Sequence, residues 1–261
     1  MPQASALMTV MIAAVRKAAR GLARDFGEVE NLQVSKKGPG DFVTAADMRA
    51  EKTLFEELSK ARPGYGFLME ERGAVEGSDK THRWIVDPLD GTTNFLHGMP
   101  HFAISVALER EGEIVAGVVY DVVKNELFQA EKGRAAFCNE RRLRVAARTK
   151  LGEAVVATGI PWAGRPGHGQ YLNELSRVMN ASAGIRRFGA ASLDLCWVAA
   201  GRFDAFWERT LQPWDIAAGV VILREAGGFA QEIDGGDFMI TGALAAANER
   251  LLPPLVTTLR G

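Results

Sequence analysis

Two aspartates that close a short apolar run constrain this chain more than any other feature of its sequence. Residues 84–86 are apolar and predict a buried strand, and they lead directly into Asp87, Pro88, Leu89 and Asp90. Proline fixes the backbone between the two acids and leaves the carbonyl group of Leu89 available as an oxygen ligand. Two carboxylates at one strand end suit a hard cation such as Mg²⁺. The motif therefore predicts a metal site where a strand ends.

The residues after this pair favour phosphate binding beside the metal. Gly91 and Thr92 follow Asp90 and predict the start of a short helix. The first N–H groups of a helix have no partner inside it and bind phosphate readily. Metal and anion sites would then be adjacent. For an isolated pair of acids at this spacing, a simple turn cap is the commoner explanation.

Further acids elsewhere in the chain bear on the choice between a metal site and a simple turn cap. Glu70 and Glu71 precede the motif by one strand, and Asp215 lies at the predicted start of a helix. Taken singly, the two glutamates are typical of a solvated surface pair, and Asp215 is typical of a helix N-cap. Together, Glu70, Asp87, Asp90 and Asp215 would bring four carboxylates from three segments to one site.

The composition is that of an ordinary globular protein and excludes several functions. Of 261 residues, 47% are hydrophobic and 24% are charged, and the formal net charge is -1. Such a balanced molecule has no strong field toward nucleic acid or anionic membranes, so we expect no direct nucleic-acid or membrane partner. Cys138 and Cys196 are far apart and lack the spacing of a disulfide framework or a thiolate zinc site. A reducing cytoplasm is the expected location.

The beginning of the chain predicts two helices joined by a strand. Apolar residues between Leu7 and Phe26 recur at helical spacing, and no basic residue precedes them, so we expect an amphipathic helix rather than a signal peptide. A strand is expected from Leu32, then a turn at residues 38–40. A second helix would follow, capped by Thr44 or Asp47.

The rest of the chain divides into two parts of different character. Short β-branched runs separated by turns between residues 102 and 137 predict an antiparallel meander. Strands and helices alternate after Leu151. We therefore expect an N-terminal α+β half over residues 1–148, with the main metal motif, and a C-terminal αβ half over residues 149–261.

Motifs spread over nearly the whole chain resemble those of the inositol monophosphatase family. They cover residues 41–47, 69–71, 84–95, 189–194, 199–204, 213–219 and 224–228. The second, third and sixth of these segments look like the family's metal-binding signatures, and the likeness is strongest to the bacterial extragenic-suppressor type. One departure is Met69, where many relatives have Gly or a small polar residue. This change removes no ligand.

The resemblance implies an α+β fold, a five-layered αβαβα sandwich of the inositol monophosphatase and fructose-1,6-bisphosphatase type. It also implies a homodimer, two to three Mg²⁺ ions per active site, and inhibition by lithium. The metal ligands that it implies are Glu70, Asp87, the carbonyl of Leu89, Asp90 and Asp215.

The resemblance also implies which residues act in catalysis. Glu70 and Thr92 would orient the attacking water, Asp47 would hold Thr92, and Asp90 would act as a catalytic metal ligand. The substrate would contact Leu89, Asp90, Gly91, Thr92, Gly189, Ala190, Ala191, Glu208 and Asp215.

Glu208 bears on the identity of the substrate. Without the resemblance, it is typical of a surface carboxylate at a strand end; with it, Glu208 would bind a hydroxyl of the departing alcohol. We therefore expect hydrolysis of a phosphomonoester, inositol-1-phosphate first. The alternatives are histidinol phosphate or other sugar and nucleotide phosphates, and a different role as a partner protein in transcription antitermination or RNA processing.

Overall fold

The structure, a computed structural model, describes residues 4–28, 34–38 and 41–261. The helices in this part of the chain are α1 (Ala6–Phe26), α2 (Ala45–Ala61), α3 (Thr92–Leu96), α4 (His168–Ala181), α5 (Ala191–Ala199), α6 (Pro213–Glu225), α7 (Phe238–Thr241) and α8 (Leu252–Arg260). The strands are β1 (Val34–Gly38), β2 (Asp41–Thr44), β3 (Tyr65–Met69), β4 (Gly73–Val75), β5 (Asp79–Asp90), β6 (Ala103–Arg110), β7 (Glu113–Asp121), β8 (Glu126–Glu131), β9 (Ala136–Cys138), β10 (Arg141–Arg142), β11 (Val155–Thr158), β12 (Gly184–Arg186), β13 (Ala205–Glu208), β14 (Phe229–Glu232) and β15 (Leu244–Ala247).

Two sheets organise these elements, beside a small β1–β2 hairpin. The first has eight strands in the order β10-β9-β8-β7-β6-β5-β3-β4, and the second has five in the order β12-β11-β13-β15-β14. All neighbours in the first sheet are antiparallel except β3 and β5, which run parallel. The predicted antiparallel meander is thus confirmed as β6, β7 and β8.

Alternate residues of β5 face two different layers. Trp84 and Val86 pack into a core with α1 and α2, and Ile85 packs into a second core with α5 and α6. A strand presents successive side chains to opposite faces, so this near-continuous apolar run indicates a sheet buried on both sides.

The second sheet repeats this arrangement. Phe206 of β13 packs into the core with α5 and α6, whereas Ala205 and Trp207 pack into a third core with α4 and α8. Helix α6 lies between the sheets and is buried continuously from Ile216 to Leu223. The order is therefore helix, sheet, helix, sheet, helix, and the predicted αβαβα sandwich is confirmed.

Most expected helices are present, with shifted ends. The predicted face of α1 is confirmed, and Thr44 caps α2 while Asp47 completes a capping box as its third residue. Helix α4 begins at His168 rather than Tyr171, and α8 begins at Leu252 rather than Glu249. Residues 32, 33, 39 and 40 of the predicted strand and turn lie outside the described residues.

The division into halves at residues 148 and 149 stays a prediction. All strands of the eight-stranded sheet precede this point and all strands of the five-stranded sheet follow it, yet the central core draws residues from both. In the described ranges, no helix is long and apolar enough to cross a membrane.

Candidate active site

Glu70 and Asp87 lie side by side because they follow the ends of neighbouring parallel segments. Met69 of β3 pairs with Val86 of β5, and the N–H of Glu70 donates to the carbonyl of Val86 at 3.2 Å. Parallel strands end at the same edge of a sheet, so the next residue of each carries its carboxyl group to the same place. Burial is the larger cause of the raised pKa of the Asp87 carboxyl, and Glu70 lies close enough to Asp87 for its charge to raise this pKa further.

The backbone bends sharply between Asp87 and Asp90. The pairing of β5 with β6 shifts register at this point, and the N–H of Leu89 donates to Asp87 Oδ1 at 2.9 Å. This bond is the one a simple turn cap would make, and it occupies a single oxygen of the carboxylate. Gly91 follows with a φ of 93°, a conformation that favours glycine, and starts α3.

Asp90 is hydrogen-bonded to a residue from a later part of the chain. Its Oδ2 accepts hydrogen bonds from the N–H of Ser192 at 2.8 Å and from Ser192 Oγ at 2.5 Å. Helix α5 has no side-chain cap of its own, since Ala190 occupies its N-cap position. Asp90 therefore satisfies the first turn of a helix that is distant in sequence.

Asp215 enters the site from the start of α6. It is the third residue of the helix, and its Oδ2 accepts from the N–H of Gln212 at 2.7 Å, which completes a capping box. The N-cap residue is Gln212, so the interpretation of Asp215 as an N-cap is wrong. Pro213 at the first helical position fits this start, because it has no N–H to satisfy.

Thr92 and Asp47 are in contact, as the sequence predicted. Thr92 Oγ1 lies 3.2 Å from Asp47 Oδ1 and 3.0 Å from the carbonyl oxygen of Leu89. Asp47 is fully buried on α2, and Thr92 is partly exposed. The hydroxyl hydrogen can donate to either acceptor, which leaves a lone pair on the Thr92 oxygen toward the site.

These residues surround one cavity of about 400 Å³. Ten of the predicted site residues line it: Glu70, Asp87, Leu89, Asp90, Gly91, Thr92, Gly189, Ala191, Glu208 and Asp215. Asp47 lies behind Thr92 and does not line the cavity. Ala190 does not line the cavity, because its side chain is buried beneath Gly91. Glu208 lies in the wall, so its interpretation as a surface carboxylate is wrong.

Several lining residues were not identified from the sequence. Arg165 and Arg187 line the cavity near Glu208, and Arg165 stacks on Trp162 at 3.9 Å from the ring centroid. Arg165 belongs to the loop after β11, which has no periodic pattern, and no sequence signal separates these arginines from surface ones. The Ser192 contact could have been found only by recognising that α5 lacks a cap.

Comparison with known proteins identifies the family. A model of the inositol monophosphatase family matches residues 3–260. The chain belongs to this family. It is 65% identical to an inositol-1-monophosphatase from Caulobacter vibrioides over 96% of this chain and 99% of that protein. It is also 39% identical to the Nus factor SuhB of Escherichia coli, over 97% of this chain and 96% of that one.

A solved structure agrees with the layered fold. The extragenic suppressor protein suhB from Bartonella henselae superposes with a TM-score of 0.95 at 57% identity, covering 98% of this chain and 99% of that one. The predicted resemblance is thus confirmed. As a member of the inositol monophosphatase family, the chain is a phosphatase, and enzymes of this family depend on metal ions.

The carboxylates of the site repel one another. Burial raises the pKa of Asp87 well above its usual range, and the charges of Glu70, Asp90 and Asp215 raise it further. Burial also raises the pKa of Asp215 well above its usual range, although the hydrogen bond from the N–H of Gln212 lowers it. For Asp90, burial raises the pKa to about 6, against the stabilising hydrogen bonds of Ser192. A cation among these groups would favour their ionised forms.

The residues present fit the metal that the family implies. Asp87, Asp90, Asp215 and Glu70 offer hard oxygen donors, and the Leu89 carbonyl keeps a second lone pair beside its bond to Thr92. Among the described side chains, no three acidic, His or Cys groups are arranged to hold an ion by themselves. Backbone carbonyl, water and phosphate oxygens would complete the donor set, as is usual for Mg²⁺.

The part of the cavity wall around Glu208 has a different charge balance. Burial, followed by the charge of Asp90, raises the pKa of Glu208 to about 8, while Arg187 and Arg165 act in the opposite direction. Asp194 lies deeper, fully buried, and neither of its carboxyl oxygens has a hydrogen-bond partner within the described structure. Burial and the nearby Glu208 raise its pKa well above the usual range. Glu208 therefore carries a proton for much of the time near neutral pH.

Proposed function

We propose that this phosphatase hydrolyses inositol-1-phosphate to inositol and phosphate with two to three bound Mg²⁺ ions. The observation that carries the proposal is one cavity whose wall includes the four carboxylates of Glu70, Asp87, Asp90 and Asp215 and, separately, Glu208. The first group suits a cation and a phosphate, and the second suits the hydroxyl groups of a polyol. The relative from Caulobacter vibrioides, which bears the name inositol-1-monophosphatase, supports the same substrate.

Phosphate would bind beside the carboxylates through backbone groups. The N–H groups of Gly91 and Thr92 lie at the start of α3, next to Asp90. Bound Mg²⁺ would neutralise the phosphoryl oxygens and lower the pKa of water in the site. The in-line direction of attack is then fixed by the residues that hold the water.

Thr92 and Glu70 would hold that water. The Thr92 hydroxyl donates to Asp47 or to the Leu89 carbonyl, so its oxygen accepts a hydrogen bond from the water and turns the water's lone pair toward phosphorus. The carboxylate of Glu70 would accept the water's proton as the new oxygen–phosphorus bond forms and the ester oxygen–phosphorus bond breaks. The departing alkoxide would take a proton from a water molecule in the site, which gives the free alcohol. Asp47 fixes the direction of the Thr92 hydroxyl without touching the substrate.

The departing alcohol would lie against Glu208. With its pKa raised to about 8, Glu208 carries a proton at neutral pH and can donate a hydrogen bond to one hydroxyl oxygen of inositol. Gly189 and Ala191 leave room for the ring, since neither has a long side chain. An amine on the substrate would favour the ionised form of Glu208, so histidinol phosphate remains the second candidate.

The test of this proposal is phosphate release from four substrates: inositol-1-phosphate, histidinol phosphate, fructose 1,6-bisphosphate and 3′-phosphoadenosine 5′-phosphate. We expect preference for inositol-1-phosphate, loss of turnover with EDTA, and inhibition by Li⁺. Preference for another ester would keep the mechanism and change the substrate. No release from any of the four would overturn the proposal.

A second candidate function follows from the likeness to the Nus factor SuhB. In that role the chain, a cytoplasmic homodimer, would bind a transcription complex through protein contacts. Binding of purified RNA polymerase that survives Asp90→Asn would support it, because that change alters the phosphatase site alone. Absence of binding by both the original protein and the variant would exclude it.

A further inference from the structure

Helix α2 carries a second buried acid for which neither the fold nor the proposed chemistry accounts. Glu51 is 1% exposed and lies one helical turn after Asp47. A carboxylate is among the groups least often found fully buried, because its desolvation is costly unless hydrogen bonds compensate. Its partners therefore show what it does.

Those partners belong to the turn that begins at Glu70. Glu51 Oε2 accepts from the N–H of Glu71 at 2.8 Å and from the N–H of Arg72 at 3.3 Å. Arg72 Nε also lies 3.8 Å from Glu51 Oε1, and its guanidinium sits 4.3 Å from the centroid of the Phe55 ring. Glu51 and Phe55 together hold this turn against α2.

Asp47, Glu51 and Phe55 are spaced four residues apart, so they share one face of α2. The first contacts Thr92, and the other two hold the turn that follows Glu70. One face of a single helix thus contacts Thr92 directly and the turn next to Glu70. Because a packed helix moves as a unit, the separation of Glu70 and Thr92 depends on α2 rather than on the loops that carry these two residues.

We propose that Glu51 is a positioning residue that fixes Glu70, and that α2 keeps Glu70 and Thr92 at the separation the reaction requires. The inference rests on the proposed function for the role of the water. It can also be tested independently, because a displaced Glu70 would weaken metal binding as well as lower turnover.

The experiment replaces Glu51 by Ala and by Gln in the full-length protein. Glu51→Ala removes the acceptor of two backbone N–H groups, so we expect kcat to fall about 10- to 100-fold and the Kd for Mg²⁺, measured by titration calorimetry, to rise about tenfold. The KM for inositol-1-phosphate should stay within about twofold, since Glu51 lies behind the cavity. Glu51→Gln keeps one acceptor oxygen and should restore most of both losses.

Glu56→Gln is the matched control, because Glu56 is exposed on the same helix and lies 3.9 Å from Lys52. It should leave kcat and Mg²⁺ affinity unchanged. Should Glu51→Ala fail to fold, Glu51→Asp gives a second test, because its shorter side chain draws the acceptor back from the N–H groups of Glu71 and Arg72. It should lower kcat and Mg²⁺ affinity in the same direction, and values equal to those of the original protein would overturn the inference.

The outcomes separate this inference from the proposed function. If Glu51→Ala lowers only the melting temperature, with Mg²⁺ affinity and kcat as in the original protein, Glu51 is a structural residue and the inference is wrong. If the original protein releases no phosphate but Glu51→Ala still weakens Mg²⁺ binding, the proposed function fails and the positioning of Glu70 stands.

Discussion

Buried acids occur in two regions of this molecule, with opposite surroundings. Around the five-stranded sheet, Glu174 accepts from Arg209 at 2.7 Å and Asp204 accepts from Arg148 at 2.9 Å. In the cavity between the two sheets, Asp87 faces other carboxylates. No Lys or Arg forms an ion pair with Asp87, Asp90 or Asp215 in the part of the chain that the structure describes.

The difference shows which buried charges serve the fold and which serve the reaction. In the first region the chain provides the compensating cation, so the pair is complete once folding ends. In the second region a metal ion would provide the compensation. Without one, burial and then repulsion among the acids raise the pKa values of Asp87 and Asp215. Such a site lowers the stability of the metal-free protein in exchange for function.

Removing one charge from the cavity should have the largest effect. Asp90→Asn keeps an oxygen that accepts from Ser192, so α5 remains capped and the protein folds. Loss of the carboxylate should lower kcat/KM for inositol-1-phosphate at least about 100-fold. The metal-free protein should melt about 3 °C higher, because repulsion with the neighbouring acids is reduced.

Asp237→Asn is the control for this prediction, since Asp237 caps α7 outside the cavity and accepts from Met239 N–H at 2.9 Å. This variant should change neither kcat/KM nor the melting temperature of the metal-free protein. Full activity in Asp90→Asn would contradict the assignment of the site, and a lower melting temperature would contradict the comparison of the two regions.

Removing a cation from the first region should act on stability alone. Arg209→Met leaves Glu174, which is 1% exposed, without its partner. An unpaired buried charge costs about 3–5 kcal/mol, so we expect a large loss of the free energy of unfolding in urea titrations. Lys150→Met removes an exposed pair with Glu153 and should cost under about 1 kcal/mol. Equal losses in the two variants would show that burial does not distinguish these pairs.

The pH dependence sharpens the comparison further. The pKa of Asp90 is about 6 in the folded protein against an ordinary value of 3.8, so the folded state holds the proton more tightly. The stability contributed by its protonated form is complete below pH 4 and is lost as the pH rises through 6. The metal-free melting temperature of Asp90→Asn should therefore exceed that of the original protein at pH 7.5, and the gap should shrink at pH 5. A gap that is independent of pH would mean that Asp90 is not protonated in this range.

The smallest effect is expected around Glu208. Glu208→Gln keeps a hydrogen-bonding side chain and removes its titration, so KM for inositol-1-phosphate should rise about fivefold with little change in kcat. Because the pKa of Glu208 is about 8, KM in the original protein should vary with pH near 8, and in the variant it should not. A tenfold loss of kcat would instead place Glu208 in the chemical step.

Local patterns accounted for much of the fold. Helix α1 was predicted from the helical spacing of its apolar residues, and the strands β6 to β8 were predicted from β-branched runs separated by turns. The three-residue strands β4 and β12 were missed, since so short a segment has no period to detect. Strand β14 was missed because it lies at a sheet edge and is largely solvent-exposed.

The sequence identified most of the acids that surround the cavity but few of their contacts. Asp87 and Asp90 stand in one motif, and their proximity follows from the sequence. The place of Glu70 beside Asp87 depends on the parallel pairing of β3 with β5, which no local pattern encodes. The bond from Ser192 to Asp90 and the arginines near Glu208 join distant parts of the chain, so only the folded structure reveals them.

The burial of α6 between the sheets has a consequence for synthesis of the protein. The last strand of the eight-stranded sheet is made by Arg142, yet the apolar face that includes Ile85, Val119 and Phe128 packs against α5 and α6. During translation this face stays uncovered until Glu225 has left the ribosome. The nascent chain therefore passes through a stage at which every strand of this sheet has been made but α5 and α6 have not, and chaperone binding or aggregation can compete with folding there.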